Sequence, residues 1–355
     1  MTHAYSNDVV VDWNQETNRM SASKTRIEGE SLNNRNYKKV LNSPEIGHSM
    51  TQHGQDYALT NRDLCSAYPS TEWQTPWMMR RNRSVSMTEP VGTIQSVTPT
   101  ICACLGIDTP AINESTAIDV VMNLKHRLTG SDPVERCLVY APDAMGPMIL
   151  DTLPELRERI SRLTSVSVPL SSVFPPKTPV CFASMFTGAG PESHGIRQYE
   201  RPVLDCDTMF DALLRHGKRV AIVAVAGSSM SLIYNNRDMD YFFESYDPEV
   251  TARTIRILHD VEYDVIVAYH QAYDDRLHAT TPFHDEALSA AASHVNDFET
   301  LSRVFHDAWS DKCRLLLFAP DHGAHIDSSS GRGTHGEDIP EDMDLVHYYG
   351  IWGPG

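Results

Sequence analysis

Aspartate and histidine recur in this chain at spacings that suit divalent cations. Asp321 and His322 are adjacent, with Gly323 behind them. Asp274 and His278 stand four residues apart, so one helical turn places both on one face. His335 lies in Gly333-Thr334-His335-Gly336, a loop free to reach inward. Asp143 and His325 extend the set. Mixed carboxylate and imidazole groups suit Zn²⁺ or Mn²⁺, with Zn²⁺ favoured, whereas Ca²⁺ prefers oxygen shells. Each residue alone has a plainer use: an aspartate after a strand caps the next helix, and Asp-His-Gly makes a turn. Only their convergence at one place asks for chemistry.

The elements that must bring them together are legible as apolar runs. Residues 136–141, 219–225, 264–269 and 314–319 are continuous and strand-length, as parallel strands covered on both faces are. Helical stretches are predicted between them at 116–128, 207–216, 248–260 and 286–309. Strand alternating with helix predicts an α/β fold, a mostly parallel central sheet sandwiched by helices. Leu138 to Pro142 runs into Asp143, and Leu316 to Pro320 into Asp321. A third run ends at Tyr269, just before the segment holding Asp274 and His278. Ligands of open α/β sheets bind beyond the carboxyl ends of the strands, where these residues fall.

Residues 1–90 are rich in Asn, Ser, Arg and Gln, with little apolar periodicity. They read as a polar N-terminal arm or extension, whose end, near Trp73, Trp77 and Met78, docks on something. Residues 91–355 read as the catalytic domain. Net charge is −17 with the 16 histidines counted neutral. That excess repels nucleic-acid backbones and anionic membranes, so neither a nucleic-acid polymer nor a membrane is expected as partner. The cysteines are odd in number and sit mostly in apolar runs, Cys102 and Cys104 among them, which predicts buried free thiols in a reducing compartment. The start has no basic stretch before an apolar run, and no run of about 18 apolar residues exists. A cytoplasmic protein without a membrane span is the expectation.

One further segment carries a family likeness. Thr178 is followed nine residues later by Thr187-Gly188, and then by Pro191-Glu192-Ser193-His194-Gly195-Ile196. This resembles the nucleophile segment of the type I phosphodiesterases and nucleotide pyrophosphatases of the alkaline phosphatase superfamily. The remaining motifs fall in that family's order: Asp143, then Asp274 and His278, then Asp321-His322, then His335. The resemblance spans roughly residues 135 to 350. It implies Thr178 at the start of a helix as attacking nucleophile. It implies one cation on Asp274, His278 and His335, and a second on Asp143, Thr178, Asp321 and His322. The implied activity is cleavage of phosphodiester or pyrophosphate bonds in a small phosphorylated substrate through a phosphothreonine. Phosphomonoesterase and phosphonate hydrolase activity are the alternatives within the superfamily.

Two departures from the family pattern stand out. Cys181 occupies a position given to a phosphoryl-holding asparagine, which makes it, with Lys177, a candidate substrate-binding residue and keeps open a metal-binding but inactive interaction protein. His325 is a candidate outer-shell partner of the metal ligands. Residues 96–110 resemble a helix that closes other superfamily members at their C-terminal end. Here the segment precedes the first strand, which predicts a circularly permuted order with 93–112 packed beside the C-terminus. A serine hydrolase is disfavoured: Gly227-Ser228-Ser229-Met230-Ser231 lacks the second glycine of G-x-S-x-G. A sulfatase needs C-x-P-x-R, which the Thr178 segment does not offer.

Overall fold

The structure, a computed structural model, describes residues 11–14, 19–22, 89–260 and 263–355. The chain divides into two compact units, Met1–Arg81 and Asn82–Gly355. In the first, β1 (Val11–Asn14) pairs antiparallel with β2 (Arg19–Ala22). The rest of the expected N-terminal arm, with Cys65, Trp73, Trp77 and Met78, lies outside the described residues.

The second unit is built on a seven-stranded sheet. Its strands are β3 (Arg136–Pro142), β4 (Val166–Ser171), β5 (Val220–Val225), β6 (Asp240–Glu244), β7 (Val265–His270), β8 (Arg314–Phe318) and β11 (Asp344–Trp352). Their order across the sheet is β4-β11-β8-β3-β7-β5-β6. β3, β5, β6, β7 and β8 run parallel. β11 is antiparallel to both β8 and β4, so β4 runs with the others. Two short strands, β9 (His325–Ile326) and β10 (Gly333–Thr334), form a separate antiparallel pair.

The helices are α1 (Val97–Leu105), α2 (Asp119–Thr129), α3 (Pro147–Thr152), α4 (Pro154–Arg162), α5 (Thr178–Thr187) and α6 (Pro191–His194). They continue as α7 (Met209–Arg215), α8 (Ser229–Ile233), α9 (Asp247–Asp260), α10 (Ala272–Ala279), α11 (Asp285–Ala308) and α12 (Pro340–Met343). The period-two alternation of β3 divides them into layers. Cys137, Val139 and Ala141 pack in one apolar cluster with residues of α1, α5, α7 and α8. Leu138 and Tyr140 pack in a second cluster with residues of α3, α4, α9 and α11. The sheet is therefore covered on both faces, and each fully buried Val, Leu or Ile contributes about 1.5–3 kcal/mol.

All four predicted strands and all four predicted helices are present, with ends shifted by a few residues. β4, β6 and β11 were not legible. β4 contains Pro169, which a central strand does not tolerate but an edge strand does. β6 is the other edge, half-buried and bounded by Asp240 and Glu244. β11 carries His347 and Gly350 and runs against its neighbours, so it lacks the purely apolar pattern of the parallel strands.

α1 packs on α5, with the Thr98 hydroxyl donating to the Met185 carbonyl at 2.7 Å. Ile101 and Cys104 of α1 share an apolar cluster with Tyr349 and Ile351 of β11. Cys102, Cys104, Cys137, Cys181 and Cys313 are buried free thiols, and Cys206 is a half-buried one. Among the described residues no helix is long and apolar enough to cross a membrane.

Candidate active site and metal centre

Three adjacent strands deliver three carboxylates to one point. β8, β3 and β7 are neighbours in the sheet. Asp321 follows β8, Asp143 follows β3, and Asp274 lies in the first turn of α10, directly after β7. Asp143 and Asp321 are almost fully buried. The Asp143 amide donates to the His270 carbonyl at 2.8 Å, and the Ala144 amide to Asp321 Oδ1 at 3.2 Å. The Tyr269 hydroxyl donates to Asp143 Oδ2 at 2.5 Å.

The histidines close around these carboxylates. His278 Nε2 is 3.3 Å and His335 Nε2 3.6 Å from Asp274 Oδ1. His322 Nε2 is 3.2 Å from Asp143 Oδ1 and 3.3 Å from Asp321 Oδ2. Each ring is oriented by its other nitrogen. His322 Nδ1 faces the Gly323 carbonyl at 2.9 Å, His335 Nδ1 the Pro176 carbonyl at 2.7 Å, and His278 Nδ1 the Gly333 carbonyl at 3.1 Å. A carbonyl only accepts, so each Nδ1 bears the hydrogen and each neutral Nε2 presents its lone pair. Burial keeps the rings neutral: it takes His322 down to about 3 and His335 well below the usual imidazole range, and lowers His278 as well.

The carboxylates are strained in the opposite sense. Burial, then repulsion from Asp274, pushes the Asp143 carboxyl well up. Burial and Asp321 do the same to Asp274, and burial and Asp143 to Asp321. Asp143 Oδ1, Asp274 Oδ1 and Asp321 Oδ2 are buried with no hydrogen-bond partner. These are the atoms that face the lone pairs of the imidazoles. Lone pair against lone pair in a dry site is unfavourable unless a cation lies between them. Asp274, His278 and His335 form one group whose ligand atoms lie within 4.8 Å of one another, and Asp143, Asp274 and His322 a second. The donors present therefore fit a pair of divalent cations of the Zn²⁺ or Mn²⁺ type.

Thr178 stands beside the second group, its hydroxyl 3.3 Å from His322 Nε2. It is the first residue of α5, a helix buried along its whole length. Lys177 before it is extended, Pro179 fits the first turn, and Gly188 ends the helix in the left-handed region at φ 73°. First-turn amides at such a start favour a phosphate. The loop bearing His335 is shaped by its glycines: a Cβ on Gly333 would lie 2.4 Å from the Leu277 carbonyl oxygen, and Gly336 has φ +123°.

The other predicted residues fall at different depths. The Lys177 ammonium donates to the His335 carbonyl. His325 Nδ1 pairs with Asp342 Oδ1 at 2.8 Å, and Asp342 Oδ2 accepts the Gly336 and Glu337 amides at 2.7 and 2.9 Å. Through Asp342, His325 thus reaches the backbone just after His335. Cys181 sits deeper. Its thiol is fully buried, 3.2 Å from the Ser172 hydroxyl, which itself donates to the Asp321 carbonyl at 2.7 Å. With its hydrogen so used, the serine leaves the thiol as donor. Cys181 packs behind Asp321 and is not among the residues that line the cavity over Thr178.

That cavity has a volume of about 140 Å³. Asp143, Thr178, Tyr269 and Asp274 line it together with Tyr199, Arg201 and the Gly227–Ser229 turn. Tyr269, Tyr199, Arg201 and Asp342 had escaped the sequence reading. Tyr269 has a local signal, a polar ring at the carboxyl end of a site strand; the other three sit in loops and a short helix with no periodicity to place them. A larger cavity of about 550 Å³, near Cys206, Asp211 and Arg237, shares no residue with this site.

Residues 138–348 match the family described as type I phosphodiesterase / nucleotide pyrophosphatase. The chain belongs to that family, and with it to the alkaline phosphatase superfamily. No curated protein matches the chain. Among solved structures it is similar to murine ectonucleotide pyrophosphatase / phosphodiesterase 5 in complex with AMP, at 16% identity and TM-score 0.45, covering 55% of this chain and 58% of that one. It is also similar to phosphonoacetate hydrolase from Sinorhizobium meliloti 1021 in complex with phosphonoacetate, at 18% identity and TM-score 0.42, covering 56% and 59%. The match thus spans a little over half the length of each relative.

Proposed function

We propose that this protein is a metal-dependent phosphohydrolase that cleaves phosphodiester or pyrophosphate bonds, with Thr178 as nucleophile. One observation carries the reading: three orphaned carboxylate oxygens and three imidazole lone pairs converge beside the Thr178 hydroxyl. When bound, two divalent cations would neutralise the carboxylates, acidify the threonine hydroxyl and stabilise charge on the phosphoryl oxygens. Asp274, His278 and His335 would hold one cation. Asp143, Asp321, His322 and the Thr178 oxygen would hold the other.

The residues divide the remaining work. The Thr178 oxygen attacks phosphorus as the bond to the leaving group breaks, and water then cleaves the phosphothreonine and restores the hydroxyl. Tyr269 holds Asp143 in place through its short hydrogen bond. Lys177 fixes the His335 loop from one side, and His325 with Asp342 fixes it from the other. The small cavity admits a phosphoryl group, so the rest of the substrate crosses its rim. Arg201 is the basic side chain of that lining, and no carboxylate pairs with it among the described residues. Its guanidinium lies over the Tyr199 ring and donates to the Gly227 carbonyl at 2.8 Å. A guanidinium at the cavity wall without a carboxylate partner suits a second anionic group on the substrate once cations offset Asp143, Asp274 and Asp275 in the same lining, which favours pyrophosphate-type substrates.

The test is metal analysis of the purified protein beside hydrolysis of bis(p-nitrophenyl) phosphate and p-nitrophenyl phosphate, with and without chelator. Two cations per chain and chelator-sensitive turnover, faster on the diester, is the expected result. A metal-free protein, or turnover indifferent to chelator, would sink the reading.

A further inference from the structure

A second cluster of the same residue types lies beneath the site. Asp247, His270 and His294 are all buried and present ligand atoms within 4.8 Å of one another. By composition it could be taken for another metal centre. Its hydrogen bonds say otherwise. Asp247 Oδ1 accepts the Gln271 amide at 3.0 Å, and Oδ2 accepts the Ala272 amide at 2.9 Å and faces His294 Nε2 at 3.0 Å. His270 Nε2 meets the Thr251 hydroxyl at 3.2 Å and Nδ1 the Tyr140 hydroxyl at 3.0 Å. That hydroxyl donates to the His294 carbonyl at 2.9 Å, so the His270 Nδ1–H donates to it in turn. Both carboxylate oxygens of this cluster are partnered, and its one orphaned atom is the His294 Nδ1 nitrogen, which faces no carboxylate.

The contacts lead to the site. Gln271 and Ala272 open α10, the helix that carries Asp274 and His278. His270 accepts the Asp143 amide at its carbonyl. The Asp143 bond continues the β3–β7 pairing and involves neither Asp247 nor His294, so what Asp247 grips is the start of the helix that carries Asp274 and His278. We propose that Asp247 and His294 form a metal-free strut that positions α10, setting Asp274 and His278 at the distance the first cation needs. This rests on the metal-dependent reading above. Asp247 and His294 are positioning residues, acting through α10.

Asp247→Asn keeps the shape and breaks the logic. The carboxylate receives three donors, and an amide offers one acceptor oxygen and a donor group, so at least one N–H meets another N–H. Outer-shell partners of this kind change metal affinity about 10–100-fold. The full chain, stripped with chelator, is titrated calorimetrically with Zn²⁺ alone. Wild type takes up two ions. Asp247→Asn is expected to lose about 10–100-fold in affinity for one of them and to keep the other near wild type. A merely structural role would weaken both together. His294→Phe, which lacks the donor, should behave as Asp247→Asn does, while His294→Gln, which keeps one, should stay within about threefold of wild type. If Asp247→Asn does not fold, the contrast between the two His294 variants decides the matter. Equal and undiminished binding of both ions by Asp247→Asn and His294→Phe overturns the strut. So does a third Zn²⁺ in wild type that disappears in Asp247→Asn, since the cluster would then be a metal site. Wild type that binds no Zn²⁺ removes the function proposed above together with the strut.

Discussion

Two buried Asp–His clusters lie on either side of the point where β7 becomes α10, and they differ in how their hydrogen bonds close. Around Asp143, Asp274 and Asp321, three carboxylate oxygens have no partner, and the imidazoles turn lone pairs toward them. Around Asp247, both carboxylate oxygens receive backbone amides and an imidazole besides. The burial physics is shared and the outcome is reversed. Burial raises every site carboxyl, with like charges adding to it. Burial also acts to raise Asp247, but the hydrogen bond and charge of His294 outweigh it and hold that carboxyl at about 2. Residue type and depth therefore do not distinguish a metal centre from a scaffold; the count of unsatisfied carboxylate oxygens, three against none, does.

The sharpest way to separate the clusters is to remove what belongs to one alone. Thr178→Ala takes the hydroxyl from the orphaned cluster and leaves its Asp and His ligands in place. Turnover should fall by about a thousandfold or more, as when a nucleophile is deleted elsewhere. Zn²⁺ stoichiometry measured on the same sample should stay at two. Turnover within about tenfold of wild type would assign the attack to another group.

Smaller, and of opposite sign, are the effects on the stability of the chelated protein. Asp274→Asn relieves repulsion among buried carboxylates, so it should raise the midpoint of thermal unfolding by a few degrees, the size of a gain of about 1 kcal/mol. Asp247→Asn should lower stability by about 2 kcal/mol at pH 7. The pH dependence follows from the two directions. The Asp247 carboxyl is depressed, so its contribution is present above the unfolded value near 4 and is lost as pH falls toward about 2. The Asp274 carboxyl is raised, so the advantage of Asp274→Asn is full at high pH and shrinks as that carboxyl protonates. Denaturant melts of the three proteins across pH 3 to 8 would show it. Destabilisation by both substitutions would erase the distinction drawn between the clusters.

The sequence made the orphaned cluster visible and hid the satisfied one. Asp143 and Asp321 end apolar strands at matching positions, and Asp274 and His278 share a helical face, so periodicity placed them at one edge of the sheet before any coordinates did. The parallel strands were legible for the same reason, being buried on both faces and apolar throughout. Asp247 gives no such cue. It begins α9, where a carboxylate normally serves its own helix, and its partners Gln271 and Ala272 are backbone amides 24 and 25 residues away. For Cys181 the motif gave a position and no orientation; the thiol is buried against Ser172. The edge strands β4 and β6 escaped because they are only partly covered, and the antiparallel β11 because His347 and Gly350 interrupt its apolar run.

The last expected effect concerns what the orphaned cluster meets from outside. Arg201 leans on Tyr199 and the Gly227 carbonyl at the cavity wall, with no carboxylate partner among the described residues. If it receives a second anionic group, Arg201→Ala should raise KM for a nucleoside triphosphate about tenfold, the loss of one charge-assisted contact of about 1.4 kcal/mol. Bis(p-nitrophenyl) phosphate lacks that second anion, so its KM should move by less than about threefold. Arg201→Lys keeps the charge and loses the planar fork, and should fall between the two. Equal losses on both substrates would make Arg201 a support for the Tyr199 wall. The reading of a pyrophosphate-type substrate would then lose its argument, while the metal centre below would be untouched.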